Sequence, residues 1–227
     1  MSHPEPYEGE SRLEQLRYSI ILAVNMLISP IHSLERMEAT CKRLIAKNPK
    51  ALTPRSFLAD TYRIYEKNEA ACFEYEELCK LASLPALDRI RFAEVLFRLR
   101  NFARVVEVSE EAVAEHPNEK NANWYLAMSF MELGLYDRAA RYFQRSITAG
   151  NRRYEDYWRL GFCWVKAGSF EEALRAYKEG LIVNPGSVGL KESVAWVESK
   201  LPQVFEVKCP AGGPIHGNGT PPQPPSW

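Results

Sequence analysis

WYLAMSFMELGLYDRAARYFQRSI, from Trp124 to Ile147, and WRLGFCWVKAGSFEEALRAYKEGL, from Trp158 to Leu181, are the two stretches that decide the fold. Setting Trp158 on Trp124 brings Leu160 onto Leu126, Gly161 onto Ala127, Gly168 onto Gly134, Phe170 onto Tyr136, Ala173 onto Ala139 and Tyr177 onto Phe143. Self-similarity at a period of about 34 residues marks an array of supersecondary units. One period upstream lies FAEVLFRLRNFARVVEVSEEAV (92–113), with Phe92, Ala93, Leu96 and Phe102 in register and Pro117 closing the unit as Pro185 closes the last. A further step gives FLADTYRIYEKNEAACFEYEEL (57–78), with Leu58, Ala59, Tyr62, Ala71 and Tyr75, and one more lands on Pro49, at the end of a helical pair over about 10–47. The pattern predicts five units.

Each unit has a physical logic. Large apolar residues three and four apart make one helical face. A small residue (Ala59, Ala93, Ala127, Gly161) lets two helices approach closely, and Gly134 or Gly168 permits the turn between them. Proline after the second helix cannot continue the hydrogen-bond ladder and stops it. Alternating strand patterns are absent.

Period, small residue, glycine, aromatic residues and closing proline together resemble the tetratricopeptide-repeat family over roughly residues 10–202. The resemblance implies an all-α, right-handed α-solenoid of about five helix-turn-helix units. Val188 to Leu201 reads as a C-terminal capping helix, which covers core that the last hairpin would otherwise expose. In the earlier units the turn glycine is replaced by Glu66 and Arg100 and the first pair is interrupted by Pro30, so the last two units match best. Residues 1–9 read as a disordered arm, and 203–227, rich in Pro and Gly, as a disordered tail. An inert tail is the expectation, beside a polyproline ligand ending in Trp227 or a segment that loops back into the groove.

The resemblance also implies that first helices line a concave surface and that this surface binds other proteins. On those helices Trp124, Met128, Met131, Trp158, Phe162 and Val165 are apolar beyond what packing inside a unit uses, and Ile90 and Phe97 extend the set. A helix apolar nearly all round is buried on both sides, and an exposed apolar patch of this kind marks a binding surface. An amphipathic helix or extended apolar peptide of a partner protein is the expected guest, with Trp124 and Trp158 as anchors. The alternative is a groove covered by the chain itself, through its arm, capping helix, tail or a second copy in a homo-oligomer.

Heat-shock cochaperones of this family hold a C-terminal carboxylate with Lys, Asn, Asn, Lys and Arg on three consecutive first helices. The matching places here hold Ser56, Asp60, Arg91, Asn121 and Tyr125, or, one unit on, Ile90, Glu94, Tyr125, Glu155 and Arg159. Only Arg159 agrees, and acidic groups at such a site repel a carboxylate.

Other functions find little support. The chain has 29 basic and 29 acidic residues, so no net field draws it to nucleic acid. Arg138, Arg141 and Arg145, three and four apart, form a candidate basic patch, but Asp137, Glu155 and Asp156 nearby favour a solvated outer face. Cys41, Cys72, Cys79, Cys163 and Cys209 lack the paired spacing of a zinc or redox site and read as reduced core fillers in a cytoplasmic protein. His3, His32, His116 and His216 lie in distant segments, so no metal is expected. YSIILAVNMLISPI (18–31) is shorter than the roughly 20 residues a membrane span needs, and acids precede it, which argues against a signal peptide. It reads as a buried helix of the first unit. No phosphate-cradling loop or nucleophile elbow occurs, so neither catalysis nor a cofactor is expected.

Overall fold

The computed structural model describes residues 10–28 and 33–201. These residues form eleven α-helices and no strand. Five hairpins follow in order: α1 (Arg12–Ile28) with α2 (Ser33–Lys47), α3 (Leu52–Ile64) with α4 (Asn68–Leu81), α5 (Ala86–Arg98) with α6 (Phe102–Glu115), α7 (Lys120–Glu132) with α8 (Tyr136–Thr148), and α9 (Tyr154–Lys166) with α10 (Phe170–Val183). The capping helix α11 (Val188–Glu198) packs on α10. The arm and tail expected at the two ends lie outside the described residues, as do His3, His32, Cys209 and His216.

Every hairpin turn from the second onward is built alike, whichever residue occupies it. Glu66, Arg100, Gly134 and Gly168, each one period from the next, have φ of 57°, 58°, 75° and 83°. The following residue donates its N–H back to the carbonyl five positions earlier: Lys67 to Tyr62, Asn101 to Leu96, Leu135 to Phe130 and Ser169 to Trp164, at 2.8–2.9 Å. This pairing satisfies carbonyls that the helix end leaves without partners. Glycine is thus favoured, not required, which is why the period survives at Glu66 and Arg100.

The close approach inside a hairpin is tightest at Gly161, where a Cβ would stand 2.4 Å from the Tyr177 ring. Ala59, Ala93 and Ala127 at the same register are completely buried. Second helices stop at proline where one is present: α6 ends two residues before Pro117 and α10 two before Pro185. The fourth hairpin has no proline there, and Gly150, at φ 112°, ends α8 instead.

First helices touch first helices, α1 with α3, α3 with α5 and α5 with α7, so they crowd the inner side of the array. The core runs along the stack in three stretches: one around Leu58, Tyr75 and Phe92, one around Leu126, Phe130 and Phe143, and one around Tyr177 and Leu190.

The first hairpin departs from the expectation of a buried helix. Leu22 is buried, but Leu13, Leu16, Ile20 and Val24, three and four apart, are between 46% and 76% exposed. Every later first helix is covered by the second helix of the preceding hairpin, and among the described residues α1 has no such neighbour. Its start is nonetheless well defined. The Ser11 hydroxyl accepts from the Glu14 N–H while the Glu14 carboxylate accepts from Ser11, a reciprocal cap. The Glu10 carboxylate accepts from the Leu52 and Thr53 N–H groups at 2.8 and 3.3 Å, and from the Thr53 hydroxyl. A negative charge is thereby placed at the N-terminus of α3, where the helix dipole favours it.

Candidate functional site

The inner face is made by register. Ser56, Ile90, Trp124 and Trp158 stand one period apart on successive first helices, and Asp60, Glu94, Met128 and Phe162 stand one turn further on. The two halves of this face differ in chemistry.

In the N-terminal half it is an internally paired polar lattice. Arg63 donates to Asp60 and Glu94 at 2.8 Å each, Arg98 pairs with Glu94 and reaches the Arg63 carbonyl at 3.0 Å, and Arg91 lies 3.2 Å from Asp88 and 3.6 Å from Asp60. These charges satisfy one another across α3 and α5. They leave little to offer a guest.

In the C-terminal half it is aromatic. Trp158 stacks on Phe162 with ring centroids 5.5 Å apart, and Tyr136 meets Phe162 edge-on at 6.1 Å. Trp158 is 40% exposed. Met128 and Met131 are half-buried against the second core stretch, as is Ile90, while Val165 is half-buried against the third. Phe97 meets Trp124 and Tyr125 at 5.9 Å, joining α5 to α7.

Trp124 is placed differently from Trp158. Its indole N–H donates to Asp156 Oδ1 at 2.9 Å, and the Arg153 guanidinium lies 5.6 Å from its ring. Asp156 is completely buried and also accepts from Arg153 at 3.0 Å and Arg159 at 3.1 Å. Much of Trp124 is therefore occupied in holding α7 to α9, whereas Trp158 keeps its open face. The same tie occurs two units earlier, where the Ser56 hydroxyl donates to buried Asp88 at 2.7 Å and Arg91 accompanies it as Arg159 accompanies Asp156. Between those two ties the equivalent residues are Ile90 and Ala122, both apolar.

Two contributors escaped the reading of the sequence. One is Asp156, whose signal was the repeated D-x-x-R of 88–91 and 156–159. The other is Trp196 on the capping helix, 48% exposed and 6.3 Å from Phe170. Trp196 stands one period after Phe162, so extending the register into the capping helix would have found it.

The candidate basic patch lies on α8, a second helix and so away from the inner face. Arg138 pairs with Glu110 at 3.0 Å and covers the Phe130 ring, Arg141 pairs with Asp137 at 3.0 Å, and the Arg145 guanidinium lies over Tyr142. Of the cysteines, Cys41 and Cys163 are buried and burial pushes both thiols up to about 12, but Cys79 is exposed, contrary to its reading as a core filler. Among the described residues no cluster of His, Cys, Asp and Glu is placed to hold a metal, and no helix is long and apolar enough to cross a membrane.

Comparison with known proteins agrees with this geometry. A tetratricopeptide-repeat family model matches residues 90–154. The small glutamine-rich tetratricopeptide repeat-containing protein 2 of Mycosarcoma maydis is 24% identical over 102 residues, which are 45% of this chain and 29% of that relative's length. Among solved structures, YrrB, described as a TPR protein with an unusual peptide-binding site, has a TM-score of 0.66 at 16% identity, covering 86% of this chain and 94% of its own. The MamA protein has a TM-score of 0.65 at 16% identity, covering 84% and 97%. With the repeat register, the small-residue contacts and the recurring turn geometry, the matched segment identifies tetratricopeptide repeats at residues 90–154, and the solved structures share the all-α solenoid fold along most of the chain.

Proposed function

We propose that the protein is a non-enzymatic interaction scaffold that takes an apolar segment of a partner protein on the C-terminal half of its inner face. The observation that carries this reading is the pair of tryptophans, Trp158 on α9 and Trp196 on the capping helix α11, that stay open to solvent. Large aromatic surface is costly to leave in water and dominates interface energies where it is covered. Phe162, Met128, Met131 and Val165 supply the adaptable floor, with Phe97 and Ile90 at its N-terminal edge. YrrB, of the same fold, is described as having a peptide-binding site, which favours a peptide guest here as well. Trp124 supports the wall more than it contacts the guest.

The test is affinity purification of the full chain from cells that express it, beside the Trp158→Ala, Trp196→Ala double variant. Helicity by circular dichroism is expected to be unchanged, and the set of co-purifying proteins to be lost. Retention of the same partners by the double variant would remove this face from the function.

A second reading, self-assembly, is favoured by the open apolar face of α1, formed by Leu13, Leu16, Ile20 and Val24. Light scattering across a dilution series separates the two, since self-assembly through α1 gives a mass that falls on dilution and on Leu16→Glu.

A further inference from the structure

The aromatic half of the inner face carries cations that no carboxylate among the described residues pairs with. Lys166 lies 5.5 Å from the Phe162 ring and Lys200 5.7 Å from the Trp196 ring, each one turn beyond its aromatic residue. Neither is ion-paired to a carboxylate among the described residues, in contrast to Arg63, Arg91 and Arg98 of the N-terminal half, which are all tied to Asp60, Asp88 or Glu94. The two lysines are one period apart, so they stand at the same register on α9 and just beyond the end of α11, along one edge of the exposed aromatic surface. Stacking on a ring keeps each ammonium beside apolar surface with its hydration only partly replaced. A guest that covers Trp158, Phe162 and Trp196 brings its flank against both ammonium groups. A cationic flank is repelled there, and a neutral one leaves the ammonium groups partly desolvated without compensation.

We propose that the guest of this face is an acidic amphipathic segment: a helix whose apolar stripe covers Trp158, Phe162 and Trp196 and whose Asp or Glu flank meets Lys166 and Lys200. The proposal rests on the reading that this face takes an apolar segment, and it adds the sign of the charge. Glu192, exposed on α11 at the register of Trp158, orients the guest by keeping the acidic flank on the lysine edge.

The probes are two synthetic amphipathic peptides of about 18 residues, five helical turns, with the same Leu stripe on an Ala background. One is flanked by Glu and the other by Lys. Each is titrated into the full chain by calorimetry at low and at high salt. The Glu peptide is expected to bind at least about tenfold more tightly than the Lys peptide, with a preference that shrinks at high salt. In the Lys166→Glu, Lys200→Glu variant, with helicity checked by circular dichroism, the order is expected to invert. Equal binding of both peptides, unchanged by charge reversal, overturns the acidic guest and leaves the apolar site standing. Binding of neither peptide, by a chain that light scattering shows to be monomeric, overturns both. A dimer that dissociates on Trp196→Ala assigns the face to a second copy, and a gain of about tenfold in Glu-peptide affinity on removal of residues 203–227 assigns it to the chain's own C-terminal segment; either overturns the proposal.

Discussion

The turn between paired helices is the place where single residues are most legible. Glu66 and Arg100 hold a left-handed backbone at φ 57° and 58°, which a side chain disfavours by roughly 1–2 kcal/mol, while Gly134 and Gly168 adopt the same conformation without that penalty. Beyond its own chain neighbours, neither glycine has an atom within 4 Å of the place where a Cβ would go, so substitution there meets only the backbone cost. Arg100→Gly is therefore expected to stabilise the chain by about 0.5–1 kcal/mol and Gly168→Ala to destabilise it by about 1 kcal/mol. Urea midpoints at constant slope measure both; a lower midpoint for Arg100→Gly would show that the Arg100 pair with Glu132, at 3.6 Å, outweighs the backbone term.

Between elements, the tie from a first helix to the buried aspartate of the next decides how hairpins stack. Asp156 is completely buried, and its carboxylate accepts from three donors, one of them the Trp124 indole. Trp124→Phe keeps the ring contacts with Phe97 and Tyr125 but removes that N–H. A hydrogen bond to a charged group contributes about 1.5–3 kcal/mol, and the two arginines remain, so a loss near the lower end, about 1.5 kcal/mol, is expected. A double-mutant cycle of Trp124→Phe with Asp156→Asn is expected to return a coupling of at least about 0.5 kcal/mol. Zero coupling would mean that the two residues stabilise the stack independently. The Ser56 to Asp88 pair makes the same link in the second and third hairpins with a hydroxyl in place of an indole, so the element-level rule is a donor before a buried Asp, whatever group provides the donor.

For the whole molecule, the array is a chain of nearest-neighbour contacts, and its stability falls toward an uncovered end. α11 closes the C-terminal end over α10 with Leu190 and Val197 buried. At the other end α1 leaves Leu13, Leu16, Ile20 and Val24 open. Amide hydrogens of α1 are expected to exchange at least about tenfold faster than those of α5 through α9, because opening α1 exposes little additional apolar surface. Protection of α1 equal to that of α7 in native-state exchange, read by mass spectrometry, would mean that another molecule covers this face, and would favour self-assembly.

What the sequence by itself determined is the architecture: the repeat period, the small residue inside each hairpin and the residue at the turn are local requirements of helix packing, repeated often enough to read despite Glu66, Arg100 and Pro30. It also placed the apolar candidates on the inner register, because register alone assigns a face to Trp124, Met128, Trp158 and Phe162. Which of them are free to meet a guest was decided only by the tertiary structure. Trp124 and Trp158 occupy the same place in successive units, yet the next helix offers buried Asp156 to the first and, at the matching register, buried Leu190 to the second. One indole is therefore tied to its neighbour, and the other, with no carboxylate at that register, faces outward. The same holds for α1, whose apolar stripe reads as buried although, among the described residues, no second helix of a preceding hairpin covers it. Exposure depends on which neighbour is present across the interface, and a period describes each unit without saying what stands beside it.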